Sequence, residues 1–319
     1  METIMTLTDS DRLRLLQPPK GRVRAVLDTD TYNEIDDQFA LVQMILSPDR
    51  ISLEAIYAAP FHNSRSSGPA NGMELSYEEI LRLLERLGRS HANFAFPGVR
   101  GYVGPEKKPL VAEAVDDLVA RARASTLDDP LYVVAIGAIS NVASAILMAP
   151  DITDRIVVVW LGGNPHYWPE TRDFNLKQDV GAAQVIFDSG VPLVQVPNWG
   201  VTSHMLASVP EIERYVEPSG PVGQFLAMRF KEYNTDHVGW TKEIWDMAAV
   251  GWLLDAEWAP STIVHSPILN DNMTWSVDHS RHMIRCVDFV YRDKIMKDFY
   301  GKLSRFAVIT HGLASGAKG

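Results

Sequence analysis

Short, uninterrupted apolar runs alternate with longer stretches of helical period along most of this chain. The runs Arg22 to Asp28, Ile51 to Ala58, Leu131 to Ile136, Ile156 to Leu161 and Pro192 to Val196 are rich in β-branched residues and read as buried strands. Between them, Asp36 to Leu46, Ser76 to Leu87, Leu110 to Ala124 and Val180 to Ser189 read as helices, with Ser76 and Glu79 at capping-box spacing. The alternation predicts an α/β fold, an open and mostly parallel sheet with helices on both faces. His62 to Gly72 is rich in Ser, Gly, Asn and Pro and is expected to be a mobile loop after the second strand. From Pro210 onward helices mix with an apolar run, Ile284 to Tyr291, read as an addition to the same core. The expectation is one domain over residues 1–319, with an N-terminal extension over 1–20 and a frayed tail over 314–319.

Composition narrows the chemistry. Hydrophobic residues make up 46% of the 319 residues and charged ones 22%, as in globular proteins, and no stretch is apolar enough over eighteen residues to suggest a membrane span. The polar, early-acidic N-terminus resembles neither a secretory signal nor a transit peptide, so a cytoplasmic location is expected. Cys286 is the one cysteine, which excludes an internal disulfide and any thiolate cluster, so a metal here must be held by oxygen or histidine. A formal charge of −10 without a long basic run argues against a nucleic-acid polymer as partner and favours a small ligand.

Directly after the first apolar run, Asp28, Asp30, Glu34, Asp36 and Asp37 place five carboxylates within ten residues. Like charges so crowded raise each other's pKa values unless water or a metal offsets the repulsion. Asp36 and Asp37 also suit a helix N-terminus, where carboxylates meet free amides, but capping uses one or two acids rather than all of them. An EF-hand is excluded, because Asn33 and Phe39 stand where that loop needs Gly and Glu and a strand precedes it. A magnesium-dependent phosphatase of the haloacid-dehalogenase type would use Asp28 as nucleophile and Asp30 as general acid, but Tyr32 stands where that pattern wants Thr or Val.

Four later segments carry further signal: Ala135-Ile136-Gly137-Ala138-Ile139-Ser140-Asn141-Val142-Ala143, then Leu161-Gly162-Gly163-Asn164, then Asp173-Phe174-Asn175 with Asp179 and Ala182-Ala183, and finally Trp245-Asp246-Met247-Ala248-Ala249. On its own, Asn141 reads as a helix cap, Asn175 as a turn residue and Asp246 as a helix start, although an acid among apolar neighbours is costly to bury unpaired. In order with the acidic loop, these segments resemble the inosine-uridine preferring nucleoside hydrolase family from about residue 22 to 300. The resemblance rests on the family's Asp-x-Asp-Pro-Gly-x-Asp-Asp opening, its Gly-x-Leu-Thr-Asn-x-Ala and Met-Gly-Gly segments, its Glu-Phe-Asn, and its His-Asp-x-x-Ala.

That resemblance implies a calcium-dependent N-glycosyl hydrolase of a ribonucleoside or related riboside, acting as a homo-dimer or homo-tetramer. It implies Asp30, Asp37 and Asp246 as metal ligands through their side chains and Ser140 through its carbonyl oxygen. Asp30 would also be the general base on the attacking water, Asp36 and Asn175 would hold sugar hydroxyls, Asp173 would take the family's Glu position toward the far end of the sugar, and Asp28 would orient the loop from behind. Three departures bear on substrate. The opening loop is two residues longer, as Thr31-Tyr32-Asn33-Glu34, bringing Tyr32 and Glu34 toward the pocket. The family's Gly-Asn after the second strand is replaced by Ala58-Ala59-Pro60-Phe61-His62-Asn63, so a sugar contact is lost unless His62 or Asn63 restores it. Trp245 replaces the His that many members use as leaving-group acid; stacking by Trp245, Trp240, Trp199, Trp168 or Tyr32 on the leaving group, or a proton from His166 or His237, could substitute. A non-nucleoside glycoside as substrate, or a metal and sugar site without turnover, stand as alternatives.

Overall fold

The computed structural model describes residues 7–316, with side chains through residue 309. Among these residues the strands β1 (Val23–Thr29), β2 (Ile51–Ala58), β3 (Ala95–Pro97), β4 (Leu131–Ala135), β5 (Ile156–Leu161) and β6 (Leu193–Val196) form a parallel array in the order β3-β2-β1-β4-β5-β6. The strand Met283–Val287 extends it in parallel beside β6, and Ser261–His265 closes that edge antiparallel, giving eight strands. This is the open, mostly parallel sheet expected from the alternating pattern.

Side chains leave alternate faces of a strand, and here both faces are buried. Ala25 and Leu27 of β1 pack into one apolar layer with Phe39, Trp252 and Phe299, while Val26 packs into the other with Leu118, Ile146 and Trp160. Helices cover both layers, which is why β4 and β5 read as unbroken apolar runs. β1 pairs with β2 on one side and β4 on the other, so the strand order reverses direction there. In such sheets the crevice outside the carboxyl ends at the reversal point is where ligands bind.

Two local expectations are corrected. The helix expected to begin at Ser76 spans Pro69–Arg86, so the irregular loop after β2 is shorter than 62–72, and Ser76 and Glu79 lie inside the helix rather than capping it. Pro69 supplies the earlier start, since its missing N–H is not needed in a first helical turn. Gly72 permits it: a Cβ there would lie 1.9 Å from the Phe61 carbonyl oxygen. At the chain's other end the helix Arg292–Gly316 runs into the stretch expected to fray, and residues 317–319 lie outside the described part. Within the expected N-terminal extension, Asp9–Leu15 is helical, with Leu15 and Leu16 in the core and the Arg12 guanidinium donating to the Gly190 carbonyl.

Candidate active site

The carboxyl end of β1 carries Asp28 and Thr29 into the crevice, and the chain then turns through Asp30 to Glu34 before the helix Asp36–Ile45 begins. Asp36 and Asp37 occupy the first helical turn, where the aligned peptide dipoles favour negative charge. They cap nothing: the N-cap residue is Ile35, with no side-chain cap bond. A cavity of about 150 Å³ opens here, lined by Asp30, Asn33, Glu34, Asp36, Asp37, Ile136, Leu161, Phe174, Asn175, Asn198, Trp199, Trp245 and Asp246. The fold thus gathers the ends of β1, β4, β5 and β6 and the start of the helix Met247–Leu254 at one place.

Asp36, Asp37 and Asp246 each offer an oxygen within 4.8 Å of the others, and all three are buried. Asp30 is fully buried beside them, and neither of its carboxylate oxygens has a hydrogen-bond partner. Gly137 makes room for it, because a Cβ there would stand 3.0 Å from the Asp30 carboxyl carbon. Burial first, and then the charges of Asp37 and Asp36, push the Asp30 carboxyl well above the usual range. Burial followed by neighbouring carboxylates likewise raises Asp37 and Asp246, and burial followed by Glu34 raises Asp36 to about 7. Removing such groups from water without partners is costly. A hard cation with several oxygen ligands is the species that satisfies them together, so the donor set fits a metal.

The surrounding residues are tightly fixed. Thr29 donates its hydroxyl to Asp37 at 2.5 Å. Asn141 does not cap its helix; its amide donates to Asp28 at 2.7 Å and to the Ala58 carbonyl at 3.1 Å, and its oxygen accepts the Val99 N–H at 2.8 Å. One buried amide therefore ties the ends of β1 and β2 together. Asp28 is fully buried outside the cavity lining, and burial raises its carboxyl to about 7.

Asp173 sits differently from the expected sugar contact. It lies outside the cavity lining, and its carboxylate accepts from the backbone of Gly163 at 2.5 Å and Asn175 at 3.0 Å and from the Asn198 amide at 3.0 Å. It positions two residues that do line the cavity. Asn175 is more than a turn residue: its amide N–H groups donate to the carbonyls of Ile136 and Leu161, at 3.1 and 3.0 Å, leaving its oxygen to offer. Ser140 is buried outside the lining, with its hydroxyl donating to Asp179 at 2.7 Å.

The longer opening loop is clamped from three directions. Lys242 donates to Glu34 at 2.6 Å, Asn63 donates to the Asn33 side chain at 2.6 Å, and Tyr32 lies between the guanidiniums of Arg65 and Arg229, 5.8 and 5.1 Å from its ring centre. Glu34 and Asn33 thereby line the cavity, while Asn63 acts through Asn33. His62 is exposed and its backbone N–H donates to Gln178. His166 bonds Gln195 at 2.7 Å and His237 the Lys231 carbonyl at 3.0 Å, and both lie outside the lining. Trp240 packs on Phe230 and His237 instead, whereas Trp199 and Trp245 line the cavity and meet edge to face, 5.3 Å apart. Asn198 and Lys242 drew no notice in the sequence. Asn198 closely follows β6, and a polar residue just past a strand's carboxyl end was the available signal; Lys242 offered none.

The family model for inosine-uridine preferring nucleoside hydrolases matches residues 25–289. The chain belongs to this family. The pyrimidine-specific ribonucleoside hydrolase RihA of Enterobacter sp. (strain 638) is 27% identical over 261 residues, covering 73% of this chain and 79% of that protein. In fold the chain is similar to a purine-preferring ribonucleoside hydrolase from Gardnerella vaginalis, with a TM-score of 0.70 at 18% identity over 90% of this chain and 99% of that one. It is also similar to an inosine-uridine preferring nucleoside hydrolase from Bacillus anthracis, with a TM-score of 0.61 at 14% identity over 89% and 99%. The protein is thus a nucleoside hydrolase, a glycosidase that cleaves the N-glycosidic bond of small ribonucleosides at a site built to hold a metal. The phosphatase and non-catalytic readings of the acidic loop give way to this one. Among the described residues no helix is long and apolar enough to cross a membrane.

Proposed function

We propose that the metal is calcium and that this nucleoside hydrolase works by direct attack of water on the anomeric carbon, with Asp30 as general base. The observation that carries this reading is the fully buried Asp30 carboxylate, both oxygens unpartnered, beside the cluster of Asp36, Asp37 and Asp246. Asp30, Asp37 and Asp246 would hold the ion, with the Ser140 carbonyl oxygen as a fourth protein ligand by family resemblance. Calcium fits because it accepts many oxygen ligands in flexible geometry, whereas magnesium demands a near-ideal octahedron. When bound, the ion supplies the positive charge that lets the carboxylates stay ionised together and acidifies water in its shell.

Asp30 takes the proton of the attacking water, with both of its buried oxygens free of other hydrogen bonds. Asp36 and the Asn175 amide oxygen accept from sugar hydroxyls. Asp173 holds Asn175 and Asn198 at the cavity wall and so acts through them rather than touching sugar. The apolar side chains of Ile136, Leu161 and Phe174 strengthen these contacts by displacing water. We read residues 1–319 as one hydrolase domain, supported by a sheet whose strands run from Val23 to Val287, and as a cytoplasmic homo-dimer or homo-tetramer by family resemblance. The test is ribose release from a panel of nucleosides, with calcium and after chelation. The reading expects release that stops on chelation and returns with calcium; release unaffected by complete removal of divalent ions contradicts it.

A further inference from the structure

Three asparagines line the cavity, Asn33, Asn175 and Asn198, and their hydrogen bonds fix which end of each amide is left for a ligand. Asn175 spends its N–H groups on the carbonyls of Ile136 and Leu161, at 3.1 and 3.0 Å, and offers its oxygen. Asn198 turns its nitrogen to the Asp173 carboxylate at 3.0 Å, and its buried oxygen has no partner. Both therefore present acceptors. Asn33 is turned the other way. The Arg65 backbone N–H donates to the Asn63 side-chain oxygen at 2.8 Å, and a backbone N–H can only donate. Asn63 must then give its nitrogen to Asn33, at 2.6 Å, and Asn33 must receive it on oxygen. The Asn33 amide nitrogen is left over: among the described residues nothing accepts from it, although the residue is only 5% exposed. An N–H group kept unpaired in so enclosed a place is costly, which favours a ligand that brings an acceptor to it.

The position of Asn33 decides which part of a substrate reaches it. Its backbone N–H donates to the Asp30 carbonyl at 2.7 Å, a tight turn that ties it to the residue assigned to the attacking water. Asp30, Asp36, Asp37 and Asp246 are each at most 4% exposed, whereas Trp199 on the same lining is 48% exposed. The buried end must take the sugar, because the water is activated there and the anomeric carbon has to lie within its reach. The leaving group then faces the exposed end. Asn33 belongs with the buried end.

We propose that the Asn33 amide nitrogen donates to one ribose hydroxyl oxygen, which makes Asn33 a specificity-determining residue for the sugar and Asn63 its positioning residue. The proposal rests on the hydrolase reading above. A sugar hydroxyl both donates and accepts hydrogen bonds. The oxygens of Asn175 and Asn198 satisfy only its donating side, and Asn33 supplies the donor that they lack. Asn33 falls in the stretch by which the opening loop exceeds the family pattern, so the contact is a property of that added stretch.

The test reads inhibition constants against turnover of 4-nitrophenyl β-ribofuranoside by the calcium-loaded protein. The competitors are the tighter-binding of uridine and inosine together with its 2′-, 3′- and 5′-deoxy analogues, so no deoxy compound need be cleaved. For each position, the constant of the deoxy analogue divided by that of the intact nucleoside measures what that hydroxyl contributes. In Asn33→Ala this ratio should fall about tenfold at one position, the scale of one buried hydrogen bond, and stay within about twofold at the other two. Asn33→Asp keeps the shape and the bond from Asn63 but exchanges the donor for an acceptor, and should lose discrimination at the same position. Asn63→Ala frees the Asn33 amide to turn and should lower that ratio about threefold. Turnover of the nitrophenyl riboside with all three ratios unchanged in both Asn33 variants overturns the proposal and leaves the hydrolase reading standing. An equal fall at all three positions also overturns it, since that is what a disturbed loop without a specific contact produces. An unchanged ratio in Asn63→Ala overturns the positioning role. No turnover of the nitrophenyl riboside by the parent overturns the hydrolase reading and this proposal with it.

Discussion

The carboxylate floor of the cavity and the wall formed by the opening loop are built in opposite ways. The floor consists of groups set by strand ends and helix starts: Asp30 and Asp37 just past β1, Asn175 bonded to the carbonyls of Ile136 and Leu161, and Asp246 before the helix Met247–Leu254. Backbone geometry fixes them, and they follow the family pattern closely. The wall consists of opening-loop residues held from across the chain, above all Glu34 bonded by Lys242 from 208 residues away, while Tyr32 outside the lining lies near Arg65 and Arg229. It is here that the chain departs from the pattern. The contrast separates the groups assigned to the proposed water attack from the loop in which the chain departs from the family pattern.

The comparison breaks most sharply at Asp30. Replacing Asp30 with Asn keeps the shape and removes the base, so ribose release should fall by about a thousandfold, within the range that general-base help supplies. Calcium titration by calorimetry should still show binding, since Asp37 and Asp246 remain; turnover within tenfold of the parent would remove Asp30 as base.

The next effect is on stability and comes from buried acids behind the floor. Asp28 and Asp173 are pushed to about 7 by burial, only partly offset by the Asn141 amide and by the backbone N–H groups of Gly163, Leu176 and Asn175 respectively. Their folded values lie above the unfolded one, so between about pH 4 and 7 the native state binds more protons than the unfolded state. Stability of the chelated protein should therefore be highest at the acid end of that window and fall as pH rises toward 7, by as much as roughly 4 kcal/mol per group. Thermal melts at several pH values check this, and Asp173→Asn should flatten part of the decline. A stability that rises steadily across the same window contradicts the assignment.

Asn141→Ala removes three buried hydrogen bonds at once and leaves Asp28 without its amide donor. A loss of about 3 kcal/mol is expected, from roughly 1 kcal/mol for each bond. Denaturant unfolding measures it, and a change under 1 kcal/mol would show that Asn141 does not hold the strand ends together.

The floor was legible in the sequence because parallel strands buried on both faces leave an unmistakable apolar run, and five carboxylates at the end of one have no bland explanation. Strand order and the rule that ligands sit at carboxyl ends placed Asp30, Asp36 and Asp37 at the crevice, whereas Asp246 joined them only through the family resemblance. The misreadings share a cause. Asn141 at a helix start resembles a cap and Ser76 with Glu79 resembles a capping box, because local spacing does not reveal that the backbone partner is elsewhere. Asp173 sat at the right place in its motif, yet it is spent on three backbone N–H groups and the Asn198 amide. Lys242 was invisible for the same reason at longer range, a lone cation in a polar stretch whose partner is set by tertiary structure.

Lys242→Met is the mildest way to sharpen the contrast. The lysine is largely buried, with 8% of its side chain exposed, while Glu34 is 31% exposed, so solvent screens part of the pair's attraction. Methionine keeps the packing against Tyr233, whose ring centre lies 5.0 Å from the ammonium. Losing the cation frees Glu34 to move in the wall and leaves the floor's hydrogen bonds untouched. The expected outcome is a KM change of a few-fold with kcat within about threefold, read from steady-state kinetics on the same riboside panel. A collapse of kcat as deep as that of Asp30→Asn would mean that wall and floor are one unit, and that the opening loop cannot be altered apart from the chemistry.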